Sequence, residues 1–326
     1  MTTIHDDFPH PIPPTAFLRY KENYFFVVTC PEHDVFGGLH FNNEPGFDRT
    51  KIHFDMLVKG KRVTYHNVVP ISPKFGTEPF VSDGVATMTV HESHKSFSIV
   101  MKTDDLDLDL KFVARLPTFD SSACKYAAPD MVAFADVLGL GLNTPREAIE
   151  QPMTVSGSVR TGTDVALNFE GPAFRDHSWG FRADNLVGWH TWAVINFPDR
   201  SYGMSSQRNR NRSDLMAREG YVIDGAGARA MRMMTATAVD FSADGVLPAR
   251  MVYELTDAMG ERYSLEADVA GRLGQLGLKP EVAMGNQVPY TVTDNYCTVK
   301  DLRSGDAGFG LIQLGHHPEW RGDLFV

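Results

Sequence analysis

The chain has 326 residues, a formal net charge of -10 and a pI near 5.6. It therefore lacks the basic footprint of a general nucleic-acid binder. A hydrophobic content of 43% suffices for a sizeable core, and the length predicts two domains of about 150 residues. Cys30, Cys124 and Cys297 are scattered, with neither a disulfide framework nor paired zinc-ligand spacing, which suits a reducing compartment.

The N-terminal run MTTIHDDFPHPIPP has no basic region followed by an apolar core, so no signal peptide is predicted. No stretch approaches the roughly 20 apolar residues of a spanning helix. The expectation is a soluble, cytoplasmic protein without integral membrane association.

The first eighteen residues predict an extended arm. NYFFVVTCP, Asn23 to Pro31, is aromatic and β-branched and predicts a strand. CPEHDVFGGLHFNNEPG, with His33, Asp34, His40, Asn42, Asn43 and Glu44, reads as a glycine-broken hairpin rather than a continuous strand. FDMLVKGKRVTYHNVVPI predicts strand, turn, strand, and VSDGVATMTVHE does the same around Asp83 and Gly84. In DDLDLDLKFVARL, Asp105, Asp107 and Asp109 alternate with Leu106, Leu108, Leu110 and Phe112. Period two means one apolar and one acidic face, and the varied ligands and central glycine of a calcium loop are missing.

TPREAIEQ is the best helix signal: Thr144 as cap, Pro145 at the first helical position and Glu147 at the capping-box position. SDLMAREGYVIDG is ambiguous, a helical turn preceding a strand. The remainder returns to short strands and turns, punctuated by a chain total of 28 glycines, as in sandwiches and barrels. There is no βαβ rhythm and no phosphate-binding glycine motif. The fold class predicted is mostly β, in two antiparallel domains, residues 1–155 and 156–326, the second carrying the central motif.

That motif is FEGPAFRDHSWGFR, Phe169 to Arg182. On a strand, Asp176 and His177 face opposite sides, while Arg175 shares a face with His177. A histidine in an apolar cavity exchanges protons near neutral pH, and a buried aspartate favours its acid form. Trp179 and Phe181 can wall a pocket and present a π-face to developing positive charge. The plainer alternative is an Arg–Asp ion pair and a core histidine bracing a strand junction.

GPAFRDHSWGFR resembles the motif of the two-domain lipocalin-like AttH and carotenoid 1,2-hydratase (hydroxyneurosporene synthase) family. The match is Asp176-His177-Ser178-Trp179-Gly180. The resemblance implies two tandem lipocalin-like β-barrel domains with a cavity. It also implies a cofactor-independent lyase, a hydratase, dehydratase or related isomerase, acting on a small hydrophobic molecule. Asp176 would be acid or charge stabiliser and His177 base, or the reverse.

GWHTWAVINFPDRSYGMSSQ adds Trp189, His190, Trp192 and Tyr202. His190 and Trp192 share a strand face. His190 would join His177 if RADNLVG closes a hairpin, and Tyr202 is a further acid–base candidate. His40 would contribute from the first half. His91 and His94 fall on opposite faces, GHHPEW lacks further ligands, and RNRNRS is a lone basic patch at Arg208 to Ser213. No metal and no cofactor are expected. The competing functions are a non-enzymatic carrier of a hydrophobic ligand and a cyclase using the same cavity.

Overall fold

The computed structural model describes residues 7–10, 20–124, 147–181, 187–209, 215–241, 248–278 and 291–316. The chain divides into two compact units, Met1–Asp120 with Arg146–Arg182, and Ser121–Pro145 with Ala183–Val326.

The strands of the first unit are β1 Tyr20–Cys30, β2 Val35–Glu44, β3 Arg49–Val58, β4 Lys61–Val69, β5 Phe80–Ser82, β6 Ala86–Glu92, β7 Ser96–Lys102, β8 Leu106–Ala114, β9 Phe119–Asp120, β10 Glu147–Thr161 and β11 Leu167–Phe181. Their order is β4-β3-β2-β1-β11-β10-β8-β7-β6-β5, with β9 on β10, and the sheet curls into a half-barrel. The second unit holds β12 Val187–Asn196, β13 Arg200–Asn209, β14 Leu215–Asp224, β15 Gly227–Phe241, β16 Pro248–Asp257, β17 Arg262–Asp268, β18 Gly274–Leu278, β19 Thr291–Asp301 and β20 Ala307–His316. Here β17 pairs with β19 as well as β16, which closes the sheet into a barrel. The protein is thus mostly β, with two lipocalin-like antiparallel units in tandem.

Period-two patterning accounts for the strands. Leu106, Leu108, Leu110 and Phe112 of β8 are buried, while Asp107 is half-buried and Asp109 exposed. Between β3 and β4, Lys59 and Gly60 both take positive φ, 51° and 74°, as a tight hairpin turn requires. The second strand departs from expectation. β2 runs unbroken through Gly37 and Gly38 after a 3-10 turn at Pro31–His33. A Cβ at Gly37 would lie 2.8 Å from Met56 Cγ and 3.1 Å from the Asp55 carbonyl oxygen. The glycine admits close approach of β3 and does not interrupt the strand.

The expected helix is also replaced by a strand. Thr144 and Pro145 lie outside the described residues, and Glu147 to Gln151 begin β10. Ile149 pairs with His177 and Gln151 with Arg175. An eight-residue helical pattern is too short to compete with a paired, buried strand. In SDLMAREGYVIDG a strand runs from Leu215, and the residues before it are outside the described set.

The expected division at residue 155 falls inside β10, which pairs with β8 on one side and β11 on the other. β11 in turn pairs with β1, so both strands are interior to the first sheet and the motif belongs to the first unit. β12 pairs with β13 and β20 in the other sheet, so β11 and β12 are not partners among the described residues; most of RADNLVG lies outside them. The core of the first unit includes Tyr24, Phe26, Leu39, Phe41, Phe54 and Phe97; that of the second includes Ile195, Tyr202, Met234 and Tyr253.

Candidate active site

β11 presents two different polar constellations, one on each face. In register, Arg175, His177 and Trp179 stand opposite Phe26, Tyr24 and Glu22 of β1, on the face that builds the hydrophobic core. Asp176 and Ser178 stand opposite Phe25 and Asn23, on the other face.

On the core face, Glu22 and His177 are fully buried. His177 Nε2 lies 2.9 Å from Glu22 Oε1, and His10 Nδ1 lies 2.8 Å from the same oxygen. The His10 backbone N–H also donates to Glu22 Oε2 at 3.0 Å. The rings stack: Tyr24 on His177 at 3.9 Å, and His10 on Trp179 at 4.1 Å. Beside them, Arg175 Nη1 lies 2.6 Å from Asp7 Oδ1, as an ion pair too poorly aligned to be a hydrogen bond. Arg175 Nε donates to Gln151 Oε1 at 3.1 Å, and its guanidinium sits 4.8 Å above the Phe97 ring. Asp7 Oδ2 accepts from Ser93 Oγ at 3.0 Å and from the His94 backbone N–H.

Burial by itself would raise the Asp7 carboxyl, but Arg175, His177 and His94 outweigh it and hold Asp7 below the ordinary aspartate value. Burial would raise Glu22 likewise; hydrogen bonds from His10 and His177 prevail and lower it. Burial lowers the His177 imidazole against the pull of Glu22. Tyr24 is pushed well above the usual phenol value, by burial first and then by Glu22 and Asp7.

The opposite face carries unsatisfied oxygens of its own. Asn23, Asn42 and Asp176 are 6%, 8% and 8% exposed, and Asn23 Oδ1, Asn42 Oδ1 and Asp176 Oδ1 have no hydrogen-bond partner among the described residues. Asp176 Oδ2 accepts from Ser178 Oγ at 3.3 Å. Asn23 stands between Ser178 and Asn42 in register and Asp176 lies two residues along β11, so the three positions span two strand spacings and two residues, roughly 12 Å. Phe25 stands between Asp176 and His40, whose ring lies 4.9 Å from that of Phe25. His53 is the register partner of His40 on β3. At the rim, Glu44 holds Lys51 at 2.8 Å, Lys21 at 3.6 Å and Arg49 at 2.5 Å. Burial would raise Glu44, but Lys21 and Lys51 lead the groups that lower it.

The sequence-derived candidates are thus distributed. Asp176 and His40 share the unsatisfied face. His177, Arg175 and Trp179 share the core face, and Phe181 ends β11 with its side chain outside the described residues. His190, Trp189, Trp192 and Tyr202 belong to the second unit. Tyr202 is buried in its core with Arg200 Nε 3.2 Å from the hydroxyl, and burial raises that phenol well above its usual value. His190 is on the other face of its strand pair, 2.9 Å from Gln313 Oε1, with half-buried Trp192 on the same side. Arg210 and Arg212 of the basic patch, and residues 317–326, lie outside the described residues.

Asp7, His10, Glu22, Tyr24, Asn23 and Lys51 were not singled out from sequence. One signal was available: Glu22 keeps step with Tyr24, Phe26, Val28 and Cys30, so a carboxylate sits in core register.

A family model described as a domain of unknown function (DUF7064) matches residues 3–321. No curated protein matches the chain. Among solved structures, a candidate AttH of Nitrosomonas europaea superposes with a TM-score of 0.66 at 13% identity, covering 93% of this chain and 98% of its own. Kievitone hydratase of Nectria haematococca gives 0.61 at 10% identity, covering 97% and 93%. CghA, solved with Sch210972, gives 0.62 at 12% identity, covering 95% and 94%. These likenesses show a shared fold, the one implied by the Asp176–Gly180 motif. No helix among the described residues is long and apolar enough to cross a membrane.

Proposed function

We propose, for a chain that belongs to the DUF7064 family, a cofactor-independent lyase of the hydratase, dehydratase or related isomerase type. It acts by acid–base chemistry on a small hydrophobic molecule. The observation that carries this reading is the set of unpartnered oxygens of Asn23, Asn42 and Asp176 on one buried sheet face. Leaving a buried polar atom unpaired costs roughly 1–3 kcal/mol, and such groups are rare in native folds unless a ligand or water completes them. On the core face Glu22 is hydrogen-bonded by His10 and His177, and the unpartnered atoms beside it belong to Arg175, Asp7 and His177, which are ion-paired with one another.

In the hydration direction, Asp176 protonates the alkene carbon, water adds to the resulting cation, and His40 takes the proton that water loses. Asp176 recovers its proton from solvent. In the dehydration direction the roles reverse: protonated His40 gives its proton to the leaving hydroxyl, water departs, and the Asp176 carboxylate takes the proton from the neighbouring carbon. The amide oxygens of Asn23 and Asn42 accept hydrogen bonds from the substrate hydroxyl or the reacting water. Phe25 supplies an apolar wall whose π-face suits a developing cation. The fold shared with kievitone hydratase and with ligand-bound CghA supports this reading as an analogy of fold.

Ligand identification by native mass spectrometry and a panel of alkenes and tertiary alcohols comes first. Asp176→Asn then removes the proton while keeping shape. Turnover is expected to fall roughly 10²-fold or more, the usual worth of general acid–base catalysis, with thermal stability retained because Asn keeps the shape of the side chain. Turnover within a few-fold of wild type would sink the assignment. Tight binding with no turnover by the wild type would favour a carrier.

A further inference from the structure

The core face of β11 carries a second constellation that the lyase reading does not use. We propose that His10 Nδ1, His177 Nε2 and Glu22 Oε1 form a binding site for one divalent transition-metal ion of the zinc type, which clamps residues 7–10 onto β1 and β11.

The three ligand atoms lie within 4.8 Å of one another. They come from three separate stretches of chain, so an ion there ties together what the sequence keeps 12 and 155 residues apart. Two imidazoles and one carboxylate are a common zinc donor set. Zinc bonds of about 2.0–2.1 Å in a tetrahedron put ligand atoms about 3.3 Å apart. The two separations from Glu22 Oε1 are 2.8 and 2.9 Å, and the three ligand atoms fall within 4.8 Å of one another, so the carboxylate must open by about half an ångström and the two imidazoles must settle around the ion to admit it.

Ring orientation is already fixed. Tyr24 stacks on one face of His177, Trp179 tilts against it at 4.8 Å, and Trp179 also stacks on His10. An outer carboxylate is close by as well. His177 Nδ1 is buried, has no hydrogen-bond partner among the described residues, and lies 3.9 Å from Asp7 Oδ1, itself ion-paired with Arg175.

This arrangement distinguishes a bridge by neutral His177 from a metal site. As a bridge in its neutral form, His177 places its one proton on Nε2 toward Glu22. Its bare Nδ1 lone pair then faces a carboxylate, with nothing to donate. With a metal on Nε2, the proton sits on Nδ1, 3.9 Å from Asp7 Oδ1, a gap that closes by about 1 Å to form a hydrogen bond. That is the carboxylate–histidine–metal order in which an outer carboxylate fixes the tautomer and raises ligand basicity. The Tyr24 hydroxyl, 3.3 Å from Glu22 Oε1, or a water takes the fourth position. The ion is structural in this scheme and takes no part in proton transfer at Asp176, which lies on the other face of β11.

The test uses the full chain, stripped with a chelator and titrated with Zn²⁺ by calorimetry. One equivalent should bind with sub-micromolar affinity, and Co²⁺ in its place should give the visible absorption of a tetrahedral site. His10→Ala, at a partly exposed position, should weaken binding roughly 100-fold or more, in keeping with loss of a ligand. Glu22→Gln should do the same, and Asp176→Asn should bind as the wild type does. No saturable one-to-one binding would overturn the site, and so would unchanged affinity in His10→Ala. If Glu22→Gln fails to fold, the His10 variant alone decides.

Discussion

Arg175→Met tests how the motif holds the first unit together. Arg175 is 1% exposed and lies against Asp7, which is fully buried. Removing the guanidinium leaves the Asp7 charge in a dry site, and breaking a buried pair in this way costs about 3–5 kcal/mol. Two features set where in that range the loss falls. Asp7 keeps its hydrogen bonds from Ser93 and the His94 N–H, which soften the loss. The contact of Arg175 with Phe97 is forfeited, which adds about 0.5–2 kcal/mol for a desolvated cation–π pair. Together these place the loss near about 4 kcal/mol.

The reciprocal variant, Asp7→Asn, strands the guanidinium and should cost a comparable amount. The double variant should lose far less than the sum. Arg175 Nη2 already lacks a hydrogen-bond partner among the described residues, so the pair is imperfectly satisfied. Removing both charges together then approaches neutrality. Two units need not unfold as one transition, so the assay is hydrogen exchange with mass spectrometry on peptides covering β1 and β11. A coupling energy below about 1 kcal/mol, or an Arg175→Met loss that small, would refute a buried pair of this strength.

Two further outcomes rest on the same packing. On β8, Leu108→Ala should cost about 2–5 kcal/mol as a buried truncation, while Asp109→Ala, one residue along and exposed, should stay within about 0.5 kcal/mol; equal losses in urea unfolding would contradict the alternation. Glu44 titrates below its ordinary 4.5, so its stabilisation is complete above that value and lost as pH falls through its lower folded value. Glu44→Gln should therefore be less stable at neutral pH and fall less steeply on acidification, and parallel pH profiles would refute the role of Lys21 and Lys51.

Period two made the strands legible, because each face of a strand is written into alternate residues. It made β8 legible residue by residue. It did not reveal that β10 and β11 belong to the first sheet, because pairing partners are chosen by tertiary fit and carry no local mark. The helix signal at Glu147 failed for the same reason: local propensity worth tenths of a kcal/mol per residue yields to a buried ladder. β2 was hidden by two glycines, and the purpose of Gly37, closeness to Met56 and Asp55, exists only once β3 is alongside.

The motif itself shows how far adjacency can carry an inference. That Asp176 and His177 face apart is a consequence of strand geometry alone. What each meets is not. His177 finds Glu22 from 155 residues away and His10 from the N-terminal stretch, and both are invisible from the motif. Asp176 finds Asn23, Asn42 and His40 arranged in register across β1 and β2. The core face ties ion pairs and hydrogen bonds between Glu22, His10, His177, Arg175 and Asp7, while the other face leaves the oxygens of Asn23, Asn42 and Asp176 open. One dipeptide therefore divides two tasks between two sides of a sheet. Treating Asp176 and His177 as a single catalytic pair would assign to one substrate atom two groups that a strand keeps apart.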